Sequence, residues 1–222
     1  MVRSAQTISF LIVAAAALFA GGADARSRLP QDSSPLAPIV ESSPTLAPFQ
    51  HVRFCLHYPS ECKSEARGVD RIDVNAGISD LLKRVNHEVN TAIAPTVKSY
   101  GTDLRDGWTI APEAGDCNDY AVTKRHDLIE GGLPAKALRL SVVKTASGTG
   151  HLVLVVATTK GDLVLDNLTE EIRPWQTTNY QWLKIQSATD ARFWYEVKVP
   201  GAGTAVSQAN RKLRLAGRQG QV

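Results

Sequence analysis

The chain has 222 residues, 43% of them hydrophobic, and 25 Lys and Arg stand against 22 Asp and Glu. That length suits one domain of ordinary size with enough aliphatic residues for a core. The two signs of charge are interspersed until the last few positions, which excludes the basic stripe of a nucleic-acid binder.

Chain order begins with Arg3, an apolar run from Ile8 to Ala20 and the small residues Ala23, Asp24 and Ala25. This reads as a signal peptide over residues 1–25 with an A-x-A cleavage site. The apolar run is shorter than the roughly 20 residues of a membrane-spanning helix, and no later segment comes close to that length. The expectation is an exported protein, periplasmic or secreted, without a transmembrane segment. Residues 26–50 are rich in Pro and Ser, with PLAP and TLAP ten residues apart, and read as an extended linker outside the fold. The folded domain is expected over 51–200, followed by a flexible basic tail over 201–222.

Export exposes thiols to an oxidising compartment, where paired cysteines bridge and a leftover one stands out. There are three cysteines. Cys55 and Cys62 lie in FCLHYPSEC, with Pro59 turning the chain between them, so a small disulfide loop is expected. Cys117 is then unpaired. Its neighbours Asp116 and Asn118 argue against the alternative of a small buried hydrophobe.

From Gly77 onward, Ile78, Leu81, Leu82, Val85, Val89 and Ile93 recur at helical spacing until Pro95, predicting a helix with one buried face. A polar stretch carrying Trp108 follows. Gly115 and Asp116 then supply a break and an N-cap, and a second helix runs to Gly131, Gly132 and Pro134. Cys117 falls in its first turn, where unpaired backbone N–H groups favour a thiolate. Asp116 opposes that, so the thiol needs a basic partner.

Downstream the period changes to strands: LRLSVV, HLVLVVAT, DLVLDN and RFWYEVKV, separated by turn residues. Helices first and antiparallel strands afterwards predict an α+β fold with the Cys117 helix packed on the sheet. Of the five histidines, His126 lies nine residues past Cys117 and about half a turn out of phase. His51 and His57 flank the disulfide loop, and His87 sits on the polar side of the first helix. His151 opens the strand HLVLVVAT. In a hairpin the start of one strand neighbours the end of the next, which brings His151 beside Asp166 or Asn167. Only one of these shares its side. A thiol at a helix start, an imidazole at a strand start and a third polar group are the nucleophile, base and orienter of acyl transfer.

GDCNDYAVTKR, HLVLVV and LVLDN resemble the three catalytic blocks of the bacterial transglutaminase-like cysteine proteinases, members of the papain-like superfamily. The resemblance spans roughly Val52 to Val199. It implies a papain/transglutaminase-like fold and a cysteine peptidase with Cys117 as nucleophile, His151 as base and Asp166 as third member. A transglutaminase-type acyltransferase and a non-catalytic envelope binding module are the alternatives. Trp108 and Asn118 are candidates for the oxyanion site. Some relatives bind calcium through acidic residues flanking the cysteine. Here the pair is Asp116 and Asn118, one carboxylate fewer, which leaves Asp116 and Asp119 as weak calcium candidates and no cofactor required by the triad. The partner implied is a peptide or protein substrate in the cell envelope, acted on by a monomer. No P-loop, HExxH, paired CxxC or EF-hand pattern supports nucleotide or zinc chemistry.

Overall fold

The computed structural model describes residues 36–63, 68–101 and 107–198. The expected signal peptide, residues 26–35 of the expected linker and the C-terminal tail lie outside them. Three helices and a seven-stranded antiparallel sheet form the described chain, with strand order β1-β9-β8-β4-β5-β6-β7. The α+β class follows.

Helix α1 (Phe49–His57) leads into a short 3-10 turn, Pro59–Cys62. Cys55 and Cys62 are bridged across it, with Cα atoms 5.5 Å apart. Helix α2 (Ala76–Ala92) is capped by the side chain of Asn75, which accepts from Ile78 N, and buries Leu82, Val85 and Val89. Helix α3 (Cys117–Glu130) starts at Asp116 and stops at Gly131. Gly132 follows with φ +89°, a left-handed conformation that glycine adopts without strain. Between α2 and α3, the short parallel strands β2 (Ala94–Pro95) and β3 (Ala114–Gly115) pair. They tie the end of one helix to the start of the other.

Strand β4 (Leu138–Lys144) pairs with β5 (Gly150–Thr158), and β5 with β6 (Gly161–Leu165). β5 is buried from His151 onward. Leu152, Leu154 and Val156 join the core under the helices, while Val153 and Val155 join a second cluster with Ile39, Val164, Trp175, Trp182 and Ile185. The unbroken apolar run of β5 is therefore the mark of a strand covered on both faces.

Three strands of the seven-stranded sheet depart from the sequence expectation. β1 (Val40–Thr45) pairs with β9 (Trp194–Lys198) as an edge of the sheet, and Ile39 before it is buried. The segment 26–50 is thus not wholly a linker, and the domain begins before residue 51. Serines and a proline suit an exposed edge strand, whose outer side pairs with nothing, so composition alone misplaced it. β8 (Gln181–Gln186) sits between β9 and β4, and the two-residue β7 (Arg173–Pro174) forms the other edge. Neither carries a clean alternation.

Candidate active site

The start of α3 is built by reciprocal hydrogen bonds. Asp116 is the N-cap and its Oδ1 accepts from Asn118 N at 3.0 Å, while Asp119 Oδ2 reaches back to Asp116 N at 2.9 Å. Asp119 is fully buried, and its Oδ1 accepts from Thr109 N at 2.8 Å and Lys98 Nζ at 2.9 Å. Burial pushes the Asp119 carboxyl above its ordinary value, and the donors from Lys98, Thr109 and Asp116 pull it back. Lys98 also donates to Gly107 O at 2.8 Å, so one ammonium pins the loop before α3 to the helix start. Tyr100 OH donates to Asp116 Oδ2 and accepts from Asn118 Nδ2. This frame fixes Cys117, the first residue of α3 and the free thiol among the described residues.

His151 stands at the start of β5, opposite Val143 of β4. Asp166 follows the last residue of β6. Continuing the β5–β6 register places it opposite Val153, diagonal to His151 on the same side. His151 Nε2 lies 2.8 Å from Asp166 Oδ1. Asp166 Oδ1 also accepts from Leu168 N at 3.0 Å, and Oδ2 accepts from Tyr180 OH. The tyrosine ring meets the imidazole edge-on at 5.7 Å between centroids. Burial works to lower the His151 pKa, but hydrogen bonds with Asp166 and Cys117 and their negative charge outweigh it and raise it to about 9. Burial likewise works to raise Asp166, yet its bonds with His151, Tyr180 and Leu168 hold it below the ordinary carboxylate range.

His151 is thus paired with Asp166, and His151 and Cys117 line one cavity. That cavity, of about 290 Å³, is also lined by Phe49, Gln50, Tyr100, Trp108, Asn118 and Leu152, among others. Trp108 is both buried core, packed against Phe54 and His51, and part of that wall. Asn118 is corrected as an oxyanion donor, because its amide nitrogen already donates to Tyr100 OH and Asp116 Oδ1. Gln50, which sequence reasoning passed over inside the expected linker, lines the same cavity and its Oε1 is buried without a partner.

The other histidines take other places. His126 bonds Glu61 at 2.7 Å, and the exposed His87 lies 3.5 Å from Glu170. His57 stacks edge-on against Tyr58. His51 is buried beside Cys55 and Cys62, but a disulfide offers no thiolate, so that trio does not make a zinc site. Calcium fits poorly at Asp116 and Asp119. Every carboxylate oxygen of the two is already taken by N–H or O–H donors, and Lys98 supplies the cation there. An eight-oxygen or even six-oxygen shell would have to displace them.

A profile of the family described as bacterial transglutaminase-like cysteine proteinase matches residues 41–201. The chain belongs to this family. The match begins within β1, in keeping with the earlier start of the domain seen in the fold. No curated protein matches the chain. Among solved structures it is similar to LapG of Legionella pneumophila, in an EGTA-treated form at 20% identity, covering 69% of this chain and 80% of that one with a TM-score of 0.42. The calcium-bound form is 20% identical, with 70% and 86% covered and a TM-score of 0.46. Members of the family are thiol peptidases by description, which implies a protein substrate. Among the described residues no helix is long and apolar enough to cross a membrane.

Proposed function

We propose that this proteinase is an exported, monomeric thiol peptidase in which Cys117 is the nucleophile, His151 the acid and base, and Asp166 the group that orients the imidazole. The observation that carries the reading is the imidazole of His151, held by Asp166, on the same cavity wall as the Cys117 thiol. With Nε2–H given to Asp166, Nδ1 is the nitrogen that exchanges a proton with the sulfur. The thiol proton passes to His151 and Sγ bonds the scissile carbonyl carbon. The imidazolium then protonates the amine as the C–N bond breaks, leaving a thioester. Water, deprotonated by His151, attacks that thioester and releases the acid and the thiol.

The oxyanion formed at the carbonyl needs two donors. The backbone N–H of Cys117, one of the first N–H groups of α3 that the helix leaves without an internal acceptor, is one. The side-chain amide of Gln50, at the wall of the same cavity, is the other. Calcium is not required, since Lys98 already neutralises the buried Asp119.

Hydrolysis of an unfolded protein substrate, followed by mass spectrometry, tests the reading. Cys117→Ala and His151→Ala are each expected to abolish cleavage while leaving the melting temperature within a few degrees. Full residual activity in either would remove the triad. Gln50→Ala is expected to lose about a hundredfold in kcat with KM little changed.

A further inference from the structure

Lys124 belongs to the same motif as Cys117, yet the reaction proposed above does not use it. Seven residues separate the two, which is close to two turns, so both lie on one stripe of α3. The Lys124 side chain is 1% exposed and its Nζ has no hydrogen-bond partner. A buried ammonium in that condition is rare in a native fold.

The two charges that act on it are Asp166 and Glu170, at either end of the turn after β6. That same turn is gripped from α2. Asn90 Nδ2 donates to Asp166 O at 3.1 Å and Glu170 Oε1 at 3.0 Å, and Asn86 Nδ2 donates to Glu170 O at 3.2 Å. The Oδ1 atoms of Asn86, Asn90 and Asn167 are all buried and unpartnered. An ammonium has three N–H donors to give, and these are three acceptors without donors. None of the three bonds Nζ directly, and a buried water is the group that takes two to four such partners at once.

We propose that Lys124 is a positioning residue: its ammonium, through a buried water, holds the amide oxygens around the 166–170 turn and so fixes the Asp166 carboxylate against His151. The inference rests on the triad reading above. It also accounts for a lysine where an apolar side chain would fold more easily. Burial lowers its pKa to about 7 against the pull of Asp166 and Glu170, so the site holds this cation at a cost in stability.

The test is the rate of Cys117 alkylation by iodoacetamide as a function of pH, with thermal melting as the check on folding. Lys124→Met removes the ammonium at similar volume. By charge alone, losing a cation beside Asp166 would strengthen the imidazolium and raise reactivity in mild acid. Loss of positioning does the opposite, and the expected result is a fall of about tenfold there, from about one unit in the thiol titration, with a melting temperature equal to or above that of the parent. A folded Lys124→Met protein with unchanged or raised reactivity would overturn the proposal. Should that variant not fold, Asn167→Ala removes one acceptor from the turn, and the same fall is expected; an unchanged profile overturns the proposal equally. His151→Ala separates the two readings. A parent-like profile in His151→Ala defeats the triad itself, whereas a shift there with none in Lys124→Met defeats only the role of Lys124.

Discussion

Two histidines are moved in opposite directions, and each carries a pH dependence of its own sign. His151, raised to about 9, stabilises the fold fully below the unfolded value of about 6.5 and loses that contribution as pH rises through about 9. The same limb bounds activity: cleavage is expected to decline above pH of about 9, where no imidazolium remains to protonate the leaving amine, and a kcat profile over alkaline pH checks it. His51 behaves conversely. Burial first, and then Arg125, lower it to about 4, and Gln186 Nε2 at 3.0 Å and Trp194 Nε1 at 3.2 Å crowd its ring with donors. The unfolded chain binds a proton there that the folded one refuses, so stability falls as pH drops from about 6.5 to 4, by about 3 kcal/mol in all. Urea unfolding at neutral and mildly acidic pH is expected to show that loss in the parent and a smaller one in His51→Gln. Lys98 is the third residue with a separable effect. Lys98→Met leaves the Asp119 carboxylate buried and without its cation, and urea unfolding is expected to show a loss on the order of 3 kcal/mol, while the cleavage assay is expected to read the same for the parent with and without a chelator.

At the scale of elements, the thiol is only as well placed as the first turn of α3. A Cβ on Gly115 would lie 2.7 Å from Asp119 Cβ and Oδ2, and Asp119 has no room to yield because all three of its donors hold it from buried or part-buried positions. Gly115→Ala is therefore expected to lower the melting temperature and slow Cys117 alkylation together, whereas Gly148→Ala, which meets nothing within 4 Å, should change stability alone, through its positive φ. The elements that carry the thiol, the imidazole and the carboxylate were legible because each has a local mark: a break and N-cap before Cys117, and a turn before the strand that His151 opens. Alternation left Asp166 and Asn167 both open, and the diagonal register across β5 and β6 is what brings Asp166 to the imidazole. Tyr180, Lys98 and Gln50 had no such mark. They come from irregular segments or a helix end, and what makes each one matter is a partner far along the chain, as with Tyr180 and Asp166.

For the molecule as a whole, the outer face of the sheet is the feature that local patterns concealed. β8 was missed because Gln181, Lys184 and Gln186 interrupt its apolar residues, although Trp182 and Ile185 are buried. The stretch before β1 was missed because its prolines read as a linker. Yet residues 36–45 run from one edge of the sheet to the other. Ala37 O accepts from Trp175 Nε1 at 2.7 Å and Ile39 N donates to Asp162 Oδ2 at 2.7 Å near β6, and Val40–Thr45 then pairs with β9 at the far edge. Gly161, at φ +107°, is the close approach that admits Leu36, which a Cβ there would meet at 2.6 Å. Ile39 thereby covers Val153, Val155 and Val164 on the face away from the helices. Without this strap a contiguous apolar patch and an unpaired edge of β9 would face water. A chain starting at residue 47 is accordingly expected to melt at lower temperature than one starting at 36, bind an apolar dye and aggregate. Equal melting of the two would mean that the outer cluster is sealed by Trp175 and Trp182 without the strap.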